Sequence, residues 1–404
     1  LFNFAGGNKN GTSTLIEAVL CDEDKRVAYY DTVNAAAGYE KKLSEENAKK
    51  LFGDNIYGSP TKVEAYHGCH FKFFCKYGLN TSVLQAAKLD VLQRGTIIHF
   101  VIEQFCNNHM ADIGSVSEAQ IKAEANQYIM EYFALVQGSE FLFTARLKFL
   151  LRKMAEGLEE VLGRIVREFA QSEFRPEKCE VTIGSNGTIP TVEFPFGKNG
   201  RLSLSGSIDR LDTWGSFVRI VDYKTGTKEF RLADTLYGLN LQMLMYLYCV
   251  VRGNNPDYRG KNPAGILYFP SKKDLKKEGL RMNGLICDNI SVIEAMEKEN
   301  AGEFIPHFKI NKDGTPSKTN SSFIPEIAFD TIFDYIEALA AKMGEGLHRG
   351  DISVDPIESS KDSACTYCDY KTVCGREDEE CRKVENNSKD EVLIKMRGDD
   401  ESGL

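Results

Sequence analysis

A chain of 404 residues with 42% hydrophobic residues is long enough for more than one domain and rich enough to bury a sizeable core. Its formal net charge of -9 excludes a protein that coats nucleic acid through a uniformly basic surface, but leaves room for a local basic groove. No run of about 18 apolar residues suits a membrane span and no signal-peptide pattern opens the chain. Eleven cysteines, an odd number in a long chain, fit a reducing cytoplasm with ligand cysteines better than a disulfide framework.

The opening, with Leu1 in first place, reads as mid-protein sequence, and a piece of a longer chain is expected. Residues 1–57 carry a strand-like stretch at Arg26–Tyr30 and a helical one at about Thr32–Leu51, with no recognisable chemistry. Ser59-Pro60 starts a helix. Tyr66, Phe71, Phe73, Phe74 and Tyr77 then crowd around Cys69, and a lone cysteine in such company is ordinarily core. The apolar period predicts a helix from about Asp90 to Asn107, with Ile98, Val101, Ile102 and Phe105 on one face and His99 near its middle. A mid-helix histidine is more often core or cap than ligand. Helices at Val116–Val136 and Thr144–Ser172 follow; the second ends in Arg164, Arg167 and Glu168, which read as a solvated face.

From Lys178 the period changes to two. CEVTIG, TVEF, LSLSGSIDRLDT and SFVRIVDYKT form consecutive strands. Glu180, on the first, either joins the acids that follow or simply faces water. A two-residue turn at Trp214-Gly215 would set Asp209 opposite Ile220 and Asp222 opposite Ser207. Side chains alternate faces, so Asp209, Asp222 and Lys224 share one, the acids as diagonal neighbours roughly 7–8 Å apart. Converging carboxylates can hold Mg²⁺ or Mn²⁺. Such an ion lowers the pKa of a bound water, and a nearby ammonium orients that water or offsets transition-state charge. This is the chemistry of phosphodiester hydrolysis, although an Asp-x-Lys triplet by itself is usually only a wet strand face.

Further on, Tyr237–Val250 reads as a buried helix with Gln242 and Tyr246 at i and i+4, and Ala264–Pro270 as a buried strand. A strand, helix and strand after an antiparallel hairpin imply an α/β fold, a mixed central sheet flanked by helices. Residues 271–323 are expected to be loops with a short helix at Val292–Lys298. A helix at Glu326–Met343 is expected to stop at Gly344 and Gly346. Cys365, Cys368 and Cys374, spaced C-x2-C-x5-C, point to metal or cluster ligation, one thiolate short of four. Cys381 and Cys69 are the candidates for the fourth, with Cys75 behind them. The charge-rich tail from Glu377 is expected to be partly flexible.

Taken in order, SPTKVEAYHGC at 59–69, RGTIIH at 94–99, GSIDRLD with VDYKTG at 206–226, LQMLMYLY at 241–248 and CTYCDYKTVC at 365–374 resemble the RecB-like branch of the PD-(D/E)XK nucleases. Within it they are most similar to the C-terminal nuclease domains of the B subunits of AddAB-type helicase–nucleases, the AddB or RexB family, over roughly Tyr30 to Gly375. The resemblance implies a PD-(D/E)XK core with a helical insertion and an iron–sulfur clasp joining the N- and C-terminal parts. Residues 1–57 would be a remnant of a helicase-like region, 58–376 the nuclease domain and 377–404 a charged tail. It implies that His99, Asp209 and Asp222 bind Mg²⁺ or Mn²⁺, that Lys224 positions the attacking water or neutralises the transition state, and that Gln242 and Tyr246 support the site. Cys69, Cys365, Cys368 and Cys374 would hold a [4Fe–4S] cluster; iron rather than zinc comes from the resemblance alone.

The implied partners are single-stranded DNA and an AddA-type helicase–nuclease subunit, in the cytoplasm and in double-strand-break repair. The large helicase-like region that precedes this domain in the family is not among the 404 residues, so motor-linked functions are not expected of them. Joining Cys69 to the trio would close a loop of about 300 residues, which takes about 5–6 kcal/mol from the unfolded chain on entropy grounds. Two other readings remain. One is a stand-alone iron–sulfur exonuclease of the CRISPR-associated kind, usually a shorter protein. The other is a catalytically idle DNA-binding scaffold, which would not need to keep His99, Asp209, Asp222 and Lys224 together.

Overall fold

The computed structural model describes residues 41–82, 91–137, 145–226, 229–271, 281–312, 317, 322–359, 363–376 and 381–398. The strand expected at Arg26–Tyr30 and the first part of the helix expected from Thr32 lie outside these. In order come α1 (Glu45–Phe52), β1 (Asn55–Gly58), α2 (Pro60–Gly68), α3 (His70–Phe73), α4 (Val91–Asn108), α5 (Glu118–Gln137), α6 (Ala145–Gln171), β2 (Arg175–Ile183), β3 (Val192–Phe196), β4 (Gly200–Leu204), β5 (Gly206–Trp214) and β6 (Phe217–Lys224). After them come α7 (Leu232–Thr235), α8 (Gln242–Arg252), β7 (Asn262–Pro270), β8 (Asn283–Cys287), α9 (Ile290–Met296), β9 (Phe323–Ile324), α10 (Ala328–His348), β10 (Ile357–Glu358), β11 (Arg382–Lys383) and α11 (Lys389–Arg397).

The central sheet has the order β2-β5-β6-β7-β8-β9. It is mixed, with β6–β7 and β8–β9 parallel and the other pairs antiparallel. The parallel step from β6 to β7 requires a crossover, and α8 supplies it. Met243 through Val251 of that helix are all buried, as befits a helix apolar on every side. This is the expected α/β architecture. A second sheet, β1-β4-β3, leans on α10, and β1 straddles the boundary expected at residue 57.

Several elements differ from expectation for identifiable reasons. Helix α1 begins only after Ser44, whose side chain accepts the Asn47 amide. Helix α8 starts at Gln242, not Tyr237, because Gly238 and Asn240 take φ of 75° and 55° and the Asn240 amide donates to Asp234. Helix α10 runs straight through Gly344 and Gly346. Those glycines serve packing: a Cβ would come within 2.3 Å of the Phe196 ring at the first and 2.0 Å of the Tyr66 hydroxyl at the second. The stretch expected to be loops contains β8 and β9. Within the described part of the tail, Ser388 and Glu391 form a capping box, and Val392, Leu393 and Met396 of α11 are buried.

The largest correction concerns Glu168. It is not on a solvated face: it is fully buried on α6 together with Arg210, Asp212 and Arg219 from the hairpin. Arg210 reaches Glu168 at 2.9 Å and Asp212 at 2.9 Å, and Arg219 reaches the same two acids at 2.6 and 2.9 Å. The two guanidiniums also stack over Phe169 and Phe174. Helix α6 is thereby fixed to the back of β5 and β6. Removing one partner leaves buried charge uncompensated, so Glu168→Ala should lower stability by about 3–5 kcal/mol. Urea unfolding reads this directly, and a loss under about 1 kcal/mol, the range of exposed ion pairs, would mean that the network holds nothing in place.

Candidate active site

The β5–β6 turn is Gly215-Ser216, with Trp214 paired to Phe217, rather than Trp214-Gly215. Gly215 takes φ of 54°, the positive value wanted at the first central position of a type II′ turn. Relative to the expected register the strands slip by two residues, which keeps every side chain on its face. Arg210 pairs with Val221 as the last pair of the ladder towards this end, and Asp209 and Asp222 are the residues next to it on the two strands. The Tyr223 amide donates to Asp209 Oδ2 at 2.8 Å.

His99 arrives from α4. Its Nε2 lies 3.0 Å from the Tyr223 carbonyl, which can only accept, so Nε2 carries a proton. Nδ1 then faces Asp209 Oδ2 at 3.4 Å and Glu180 Oε1 at 3.8 Å. Facing carboxylates, that nitrogen either takes a second proton or offers its lone pair to a cation. Burial alone lowers the imidazole, but hydrogen bonds to Asp209 and Glu180 and the charges of Asp209 and Asp222 outweigh it and raise His99 to about 10.

Glu180, left undecided by the sequence, belongs to this group. His99, Glu180 and Asp209 each offer a ligand atom within 4.8 Å of the others. Ser207 Oγ donates to Glu180 at 2.9 Å. The glutamate has φ of 48°, a conformation that costs a non-glycine residue free energy and is often found at functional sites. No periodicity in the sequence signals it.

Asp222 is turned to Lys224, whose Nζ is 2.8 Å from one carboxylate oxygen and 2.6 Å from the other. Burial, then the charge of Asp209, pushes the Asp222 carboxyl up to about 6, against the pull of Lys224. Gln242 and Tyr246 share a face of α8, and the Tyr246 hydroxyl interacts with the Gln242 side chain and the Ser207 backbone. Gly206 makes this approach possible, since a Cβ there would lie 2.5 Å from the Tyr246 ring. No sequence pattern points to the role of Glu64, which caps α8 by accepting the Gln242 amide at 2.9 Å.

The family model of the PD-(D/E)XK nuclease superfamily matches residues 58–375. The chain belongs to the PD-(D/E)XK nuclease superfamily. Among its relatives is the B subunit of the ATP-dependent helicase/deoxyribonuclease of Clostridium tetani, 29% identical over 89% of this chain and 34% of the relative. Its namesake in Clostridium acetobutylicum is 30% identical over 82% and 31%, and that of Clostridium novyi 29% identical over 92% and 35%. The chain spans about a third of the length of the curated relatives it matches. Members of the superfamily use divalent metals, and an imidazole with carboxylate oxygens is a donor set that suits Mg²⁺ or Mn²⁺. Among the described residues no helix is long and apolar enough to cross a membrane.

Away from the nuclease centre, residues 66–81 are stitched to 351–382. Phe71 N donates to Ser353 O (2.9 Å), His70 N to Asp355 (3.0 Å) and Tyr370 OH to Thr81 O (2.8 Å). The described cysteines are free thiols. Cys75 is pushed up to about 11 by burial and by the charges of Cys368, Cys69 and Cys374, but no three of the described cysteines bring their sulfur atoms within 4.8 Å of one another. Cys365 accepts from Arg376 at 3.3 Å and neighbours Cys381. Thiols this far apart cannot all reach one tetrahedral ion; thiolates drawn from two distant stretches of the chain are the donor type that a larger cluster takes.

A cation entering the group of His99, Glu180 and Asp209 must displace the second proton of His99. Mn²⁺ affinity should therefore rise with pH between about 5 and 8, about tenfold per unit for each proton released. Isothermal titration calorimetry in buffers of different ionisation enthalpy measures both quantities. Affinity that is flat with pH, with no proton release, would contradict this assignment.

Proposed function

We propose that the chain is the nuclease domain of a B subunit of the AddAB type, a divalent-metal-dependent deoxyribonuclease that hydrolyses single-stranded DNA delivered by an AddA-type partner during double-strand-break repair. The observation that carries this reading is the convergence of His99, Glu180 and Asp209 beside the Asp222–Lys224 pair, in a chain of this superfamily whose relatives are named deoxyribonuclease subunits.

In this reading His99, Asp209 and Asp222 would hold a divalent ion, with Glu180 as a further oxygen donor, and the ion would polarise the phosphate and acidify water. The Tyr223 carbonyl fixes the His99 tautomer, so Nδ1 stays aimed at the site. Lys224 orients the attacking water and offsets charge that builds on the phosphate. Asp222, buried beside it, holds the ammonium in place through their ion pair. Gln242 and Tyr246 brace the β5 end through Ser207.

The cysteines hold a [4Fe–4S] cluster with a structural role: Cys69, Cys365, Cys368 and Cys374 ligate, and Cys75 lines the site. The cluster ties the two ends of the chain into one clasp and removes freedom from the unfolded chain.

Asp209→Ala and Lys224→Ala should lower cleavage of single-stranded DNA in Mg²⁺ by about 10³-fold while the circular dichroism spectrum stays native; EDTA should abolish cleavage. Full activity in either variant removes that residue from the mechanism. Cys69→Ala should lose iron, sulfide and visible absorbance and melt at a lower temperature. Loss of the cluster with an unchanged melting temperature would rule out the structural role.

A further inference from the structure

Tyr268 plays no part in the chemistry above, yet its position is hard to reconcile with simple packing. It lies on β7 in register with Asp222 of the parallel neighbour β6. Its side chain is 1% exposed, and its hydroxyl has no hydrogen-bond partner among the described residues. Buried hydroxyls are nearly always paired, and an unpaired one destabilises the fold. Phenylalanine would fill the same space without that cost. The Lys224 ammonium stands 5.6 Å from the centre of the Tyr268 ring, and the charges of Asp222 and Glu64 both reach the hydroxyl.

We propose that Tyr268 is a positioning residue of the nuclease centre: its ring seats the Lys224 ammonium, and its hydroxyl is a donor kept for a phosphate oxygen of the bound strand. The ring offers Lys224 a cation–π contact opposite its ion pair with Asp222, which confines an otherwise flexible side chain. The hydroxyl sits among groups that hold or repel negative charge but bonds to none of them. An oxygen of a phosphodiester drawn in by Lys224 would supply the missing acceptor. An interaction absent from the free protein and gained as the phosphate reacts contributes to turnover instead of stability.

This inference rests on the nuclease reading, and the experiment keeps the two apart. Tyr268→Phe retains the ring and removes only the hydroxyl. It should melt at or above the wild-type temperature and bind single-stranded DNA in Ca²⁺ as wild type does, with kcat lower by about 10²-fold and KM unchanged. Tyr268→Leu also removes the ring, so whatever it costs beyond Tyr268→Phe should vanish when both are compared in a Lys224→Ala background. Wild-type kcat in Tyr268→Phe overturns the proposal and leaves the nuclease reading intact. A lower melting temperature in Tyr268→Phe overturns it too, because the hydroxyl would then be paired in the free protein. A folded wild-type chain that cleaves no single-stranded DNA in Mg²⁺ or Mn²⁺ defeats the nuclease reading, and this proposal with it.

Discussion

Asp209 and Asp222 lie where the paired stretch of β5 and β6 ends, with Glu180 beside Asp209, and the charge of Asp209 acts against that of Asp222. The fold offsets that repulsion through Lys224 and His99, one ammonium beside Asp222 and one imidazole beside Asp209 and Glu180. Their compensation is incomplete: the carboxyl of Asp222 still sits at about 6 and His99 at about 10. A site that holds a surplus proton and a surplus of carboxylate is poised for a cation, and this tension is the physical basis for reading it as a metal centre.

Such a concentration of charge has to be held rigidly, and the other side of the hairpin provides the anchor. Arg210 and Asp212 follow Asp209 along β5, so the outward acid is backed by charged residues pointing into the protein. There Glu168 of α6 completes a four-residue network with no solvent exposure. Arg210 also donates to the Tyr223 hydroxyl, and Tyr223 lends its amide to Asp209 and its carbonyl to His99. One tyrosine therefore connects the buried network, the acid and the imidazole. Rotation of any one of them would disturb the other two.

How much of this could be read from the sequence depends on the range of the interaction concerned. Alternation along SIDRLD and VDYKT was enough to place Asp209, Asp222 and Lys224 on one face, because a slip of two residues preserves faces. The register itself was misplaced, since it hinged on which residue of the turn takes positive φ, and Gly215 decides that. Glycines misled again in α10, where Gly344 and Gly346 answer to Phe196 and Tyr66, more than a hundred residues away. Glu168 looked solvated because its partners lie some forty to fifty residues further on. Glu180 depends on a strained backbone that no pattern announces. The cysteine spacing asked for a fourth thiol from elsewhere in the chain, but offered no way to rank Cys69, Cys75 and Cys381 by position in space. Short-range periodicity was legible; long-range compensation of charge and volume was not.

In the proposed centre one divalent ion sits at His99, Glu180 and Asp209, with Asp222 adjoining. Crystals soaked in Mn²⁺ and measured for anomalous scattering test it most directly. The account predicts one strong peak in contact with His99 Nδ1 and Asp209, and none when the soak is repeated on Asp209→Ala. A peak elsewhere, or no peak at a pH where Asp222 is ionised, would contradict it.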